Sequence, residues 1–142
     1  MRSANKNTHE TLLQEHGYRI TPKRIALLTF LANSKTPLTR VDIQKKLNYK
    51  LDKVTLYRAL EDFCSSKILA KVNLQGPAAY YEFLHQTHHH HHIKCETCGK
   101  IEHMEICNQV SIEKEILKHS KSFNTINSHS LEFFGICKTC SK

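Results

Sequence analysis

No run of eighteen apolar residues occurs in this 142-residue chain, which leaves no segment able to cross a bilayer as a helix. The lead-in from Met1 to His16 also lacks the apolar centre of a signal peptide, so a cytoplasmic protein with no membrane partner is expected. A His-Glu-x-x-His motif is missing, and with it the usual acid–base arrangement of a zinc hydrolase; no enzyme is expected. Acidic residues are scarce as well, 13 against 21 Lys and Arg, for a formal charge of +8. The shortage is uneven. Residues 1–84 hold 14 basic and 7 acidic side chains, whereas residues 85–142 hold 7 and 6. A basic first part joined to a nearly neutral second part suggests that the first meets a polyanion, double-stranded DNA above all.

What the chain does have is thiol and imidazole. Cys95-Glu96-Thr97-Cys98 and Cys137-Lys138-Thr139-Cys140 are two Cys-x-x-Cys pairs, and five consecutive histidines, His88 to His92, lie just before the first. In a reducing compartment such pairs are metal ligands rather than disulfides, and two of them complete the four-sulfur shell of a structural zinc ion. The expected zinc ligands are therefore Cys95, Cys98, Cys137 and Cys140. A closed shell has no open position for chemistry, so the histidines need a separate explanation. If they lie on a strand, His88, His90 and His92 share one face and His89 and His91 the other, so one strand can feed two sites. Further ligands in the region are Glu82, His85, His103, Glu105, Gln109 and His129. Imidazole suits several transition metals, so ligand type alone does not choose the ion.

Local signals place these groups on elements. Thr8 to His16 reads as a helix stopped by Gly17; Thr21-Pro22 caps a helix to about Asn33 with Ile25, Leu28, Leu31 and Ala32 on its apolar face. Thr39 to Asp42 opens a short helix with a capping box, and a further helix starts near Asp52 with Val54, Leu56, Leu60 and Phe63 inward. Strands at Ile68 to Asn73 and Tyr80 to Leu84 follow, giving a winged helix-turn-helix. Its last helix, the one that enters the major groove, leaves Lys53, Thr55, Tyr57, Arg58 and Glu61 off the apolar stripe. Beyond it, strands at His88 to Lys94 and Ile101 to Ile106, a helix from Gln109 to His119 and a strand region from Phe123 to Phe134 form a smaller module. The expected class is α+β: a winged-helix domain over 1–84 and a small α/β dimerisation domain with its four-cysteine zinc site over 85–142. With so short a chain the smaller module needs such a staple.

Gly17 to Arg24, Val54 to Leu60, His88 to Gly99 and His129 to Cys137, taken in order, resemble the ferric uptake regulator family of metal-dependent repressors, over about His16 to Cys140. The resemblance implies a homodimer that binds a pseudo-palindromic operator when a regulatory metal fixes its domains. Carried over by position, the regulatory ligands are Glu82, His90, His92 and His103. A further site falls on His89, His91 and His129, with Glu105 or Gln109 near the place of its usual carboxylate. DNA contacts fall on Arg19, Lys23, Arg24, Lys53, Thr55, Tyr57 and Arg58. The loop Ser34 to Pro37 lacks the histidine that iron and peroxide sensors of the family place there, and the stretch Thr87 to His92 with Cys107 is most similar to the zinc uptake regulators. The expected function is zinc-dependent repression of metal-uptake genes, with Zn2+ as structural ion and Zn2+, or else Fe2+ or Mn2+, as regulatory ion. Iron- or peroxide-responsive repression is the alternative. A metal buffer is a distant one, distinguished by several loosely held ions per chain.

Overall fold

The computed structural model describes residues 2–48, 50–84, 90–106 and 109–142, with side chains from residue 8 onward apart from that of residue 109. The chain divides into two compact units, Met1–Gln86 and Thr87–Lys142. Among the described residues no helix is long and apolar enough to cross a membrane.

In the first unit, α1 (Arg2–Glu15) begins earlier than its apolar spacing suggests, because no proline or glycine before Thr8 breaks the helix; Leu13 is buried on its last turns. It stops at Gly17, whose φ of 71° is the left-handed value that glycine adopts without penalty. Helix α2 (Pro22–Ala32) starts where proline needs no amide partner and the Thr21 side chain accepts from the Arg24 amide. Strand β1 (Leu38–Thr39) runs into α3 (Arg40–Lys46), closed by the reciprocal Thr39–Asp42 capping box. Helix α4 (Lys53–Ser65) is capped by Asp52, which accepts from the Thr55 amide at 2.9 Å.

Strands β2 (Leu69–Val72) and β3 (Tyr80–Phe83) follow, and the antiparallel sheet runs β1-β3-β2. Leu13, Leu27, Leu28, Leu31, Ile43, Leu56, Leu60 and Phe63 meet in one apolar core under this sheet. Val54 does not join them. It is 59% exposed, because it sits two residues, and so more than half a helical turn, away from Leu56; Ala59 takes the inward place.

The second unit has a sheet ordered β5-β4-β6. Strand β4 (His91–Cys95) pairs antiparallel with β5 (Ile101–Met104), so that His92 lies opposite His103. It pairs in parallel with β6 (Glu132–Gly135), and α5 (Gln109–His119) spans part of the connection. The strand expected over Phe123 to Phe134 is only these four residues: β4 is short, its parallel register begins at Glu132, and the polar stretch before it has no ladder to join. The buried residues described here are His91, His92 and Cys95, while Ile106, Val110, Ile116, Phe123, Phe133 and Ile136 are exposed.

Candidate metal centres

The β4–β5 turn brings the first cysteine pair into shape. Gly99, at φ 74°, lets its amide return to the Cys95 carbonyl at 2.9 Å, while the Cys95 amide reaches Lys100 at 2.8 Å. Pairing of β4 with β6 then sets Cys95 opposite Gly135 and delivers the second pair. The four sulfurs of Cys95, Cys98, Cys137 and Cys140 all lie within 4.8 Å of one another, with Cys98 Sγ 3.7 Å from Cys137 Sγ. A tetrahedron with zinc–sulfur bonds of ~2.3 Å has edges of roughly 3.8 Å. The donor set and its spacing fit a structural zinc ion.

Electrostatics point the same way. Backbone amides of Cys98 and Cys137, the latter 3.3 Å from the sulfur, bring the Cys95 thiol down to about 6. The Cys140 amide likewise lowers Cys137, whereas hydrogen bonds with Cys137 and then Cys98 push Cys140 up to about 12. Sulfurs this close cannot all ionise without a cation between them.

A second cluster is built from imidazole alone. His92 lies on β4, His90 is the residue just before that strand, and His103 comes across from β5 opposite His92. Their ligand atoms fall within 4.8 Å of one another; the His90 and His103 rings stack at 4.3 Å, and His90 and His92 meet edge-on at 5.0 Å. Of the four expected regulatory ligands these three come together. Glu82 lies on β3 of the first unit, opposite Ala70.

The other face of β4 holds His91, whose ring is 5.5 Å from that of His129. The carboxylate beside them is Glu113: its Oε1 is 3.6 Å from His129 Nδ1, and both side chains are mostly buried. Glu105, expected here, instead lies 3.6 Å from His103 Nε2 on the side of the other cluster, since a residue just past β5 stays with that strand. The sequence reading missed Glu113. The signal was there, because Gln109 opens α5 and Glu113 is the acid one turn further along the same face. His89 lies outside the described residues, as do His85, His88, Cys107 and the side chain of Gln109.

In the first unit Lys53, Thr55, Tyr57 and Arg58 are exposed on α4, as are Arg19 and Lys23 before and on α2. The guanidinium of Arg40 lies 5.5 Å over the Tyr57 ring. Arg24 is partly committed elsewhere: it donates to the Arg19 carbonyl at 3.0 Å, covers the Tyr18 ring and approaches Asp62 at 3.8 Å. Thr55 is tied to the Asp52 cap through both its amide and its hydroxyl.

The sequence pattern of the ferric uptake regulator family matches residues 15–134. The chain belongs to that family. Its members are metal-dependent transcriptional regulators and not enzymes. Among relatives in the family, the peroxide operon regulator of Bacillus subtilis (strain 168) is 34% identical over 140 residues, covering 96% of this chain and 93% of its own length. The solved ferric uptake regulator of Francisella tularensis with iron is 25% identical, covers 89% of this chain and 96% of its own, and superposes with a TM-score of 0.72. The Helicobacter pylori ferric uptake regulator shares the fold at a TM-score of 0.78, with 19% identity over 100% of this chain and 95% of its own.

Proposed function

We propose that this ferric uptake regulator homologue is a zinc-responsive repressor of metal-uptake genes, acting in the cytoplasm as a homodimer on a pseudo-palindromic operator. The observation that carries the metal is the cluster of His90, His92 and His103. Three nitrogen donors suit zinc and its neighbours in the transition series, whereas manganese and magnesium favour oxygen-rich shells. In this reading His90, just before β4, and His92 on it offer nitrogens together with His103 from β5, with Glu82 as the ligand from the first unit. A zinc ion bound there supplies a cross-link, and His90, His92, His103 and Glu82 convert its occupancy into a shift of the population toward the DNA-binding arrangement.

The clasp of Cys95, Cys98, Cys137 and Cys140 holds the structural zinc, and His91, His129 and Glu113, with His89, form the further site. Residues 1–84 are the winged-helix domain and 85–142 the dimerisation domain. Arg19, Lys23, Arg24, Lys53, Thr55, Tyr57 and Arg58 contact DNA, with Arg40 orienting the Tyr57 ring.

A second reading is favoured by the identity of relatives: the Bacillus subtilis protein is named a peroxide operon regulator, and a peroxide-responsive repressor would release DNA on oxidation. Operator binding measured with zinc, iron and manganese, each before and after hydrogen peroxide, separates the two. Zinc-supported binding that survives peroxide is expected. Binding supported by iron but not zinc, and lost on peroxide treatment, would sink the zinc reading, and binding indifferent to chelation would sink both.

A further inference from the structure

Helix α4 carries two adjacent acids in the turn that follows Tyr57 and Arg58; Asp62 faces Arg24, whereas the partners of Glu61 lie on the wing. Glu61 Oε1 accepts from the Tyr81 hydroxyl at 3.3 Å and sits 3.5 Å from Lys71 Nζ. Tyr81 is 3% exposed on β3, Lys71 is its cross-strand partner on β2, and the lysine ammonium lies 6.0 Å from the centre of the tyrosine ring. One carboxylate oxygen thus joins the helix to both strands of the wing. Burial first, and then the Glu61 charge, push the Tyr81 phenol up to about 12, so it remains a donor at every working pH.

A carboxylate can only accept hydrogen bonds, and DNA phosphates offer nothing but acceptors and negative charge. Beside Tyr57 and Arg58 a carboxylate without a cation would weaken the approach to DNA. Lys71 offsets that charge, and the pair spends it on geometry instead.

We propose that Glu61 is a positioning residue for operator recognition: by holding Lys71 and Tyr81 it fixes the wing against α4, so that wing and helix meet DNA as one surface. This rests on the DNA-binding reading above. Its effect is on discrimination rather than on overall attraction, because a loosened wing still carries its positive charge but no longer holds a set angle to the bases read by α4.

The test uses the full-length, zinc-loaded protein and a duplex selected by the wild type from a random pool, compared with a scrambled duplex of the same composition. Affinities are read by fluorescence anisotropy, with circular dichroism as the check on folding. Glu61→Gln and Lys71→Met should each lower the ratio of selected to scrambled affinity roughly 3- to 10-fold, the scale of a lost hydrogen bond or partly exposed pair. The double variant should be no worse than the worse single one, since both cut the same link. Tyr81→Phe, which removes one oxygen, should move the ratio the same way.

Folded variants with a lower melting temperature but an unchanged ratio would overturn the proposal in favour of a purely structural contact. Additive losses would overturn it in favour of two separate DNA contacts. A wild type that selects no duplex would remove the DNA-binding reading itself, and the proposal with it.

Discussion

The two units of this chain are held together by different physics. In the first, leucines from α1, α2 and α4 with Ile43 and Phe63 form an apolar core beneath a small sheet. In the second, the buried residues described are two histidines and a cysteine, while Ile106, Val110, Ile116, Phe123 and Phe133 face outward. The first unit can be stable by removing hydrocarbon from water; the second needs ions and a cover for its exposed apolar face. Members of the family are dimers, and in the homodimer proposed here the partner copy would supply that cover. On the proposed function, DNA contact falls to the unit with the apolar core and metal response to the unit without one.

The sharpest way to break this contrast is to remove the clasp. Cys95→Ser, or exhaustive chelation, should abolish the cooperative unfolding of the second unit while amide protons of α2 and α4 keep their protection from exchange. Loss of protection in both units together would mean that they are not independent. The converse substitution, Phe63→Ala, deletes a fully buried ring and should cost about 3–5 kcal/mol of first-unit stability. Denaturant unfolding followed by hydrogen exchange should show that loss on α2 and α4, with β4 and β6 unaffected.

The smallest expected effect is acid sensitivity confined to the first unit. His9 is 5% exposed on α1, edge-on to Phe83 at 5.8 Å, and neither ring nitrogen has a hydrogen-bond partner among the described residues. Burial holds its pKa below the usual 6.5. The unfolded chain therefore binds this proton more readily than the folded one. The His9 contribution is complete above about pH 6.5 and declines as pH falls through that value toward the folded pKa. His9→Phe should flatten that part of the stability profile. An unchanged slope would show that the decline comes from other groups.

Features set by neighbouring residues were legible in the sequence. Thr21 before Pro22, the Thr39–Asp42 box and the Asp52 cap are contests between a few adjacent groups, and the helices start where those contests say. The Cys-x-x-Cys spacing carries its own geometry in the same way. What could not be read was set by distant partners. Gln109 pointed to this face of α5, but that Glu113 rather than Glu115 is the acid beside His129 is decided by where the helix lies against the strand. Val54 has a core residue's chemistry, yet its angle around α4 turns it to solvent. The extent of β6 is decided by the length of β4, not by the β-propensity of Phe123 to Phe134.

One consequence follows from the central place of β4. Its alternation puts His91, Ile93 and Cys95 on one side and His92 and Lys94 on the other, with neighbours on both edges. Adding or deleting a single residue between His92 and Cys95 would exchange the sides of one group of ligands relative to the other, and the strand could satisfy its hydrogen bonds without repairing the exchange. Inheritance can therefore alter the letters between histidine and cysteine far more freely than their number. The metal code of this protein is in part a matter of parity.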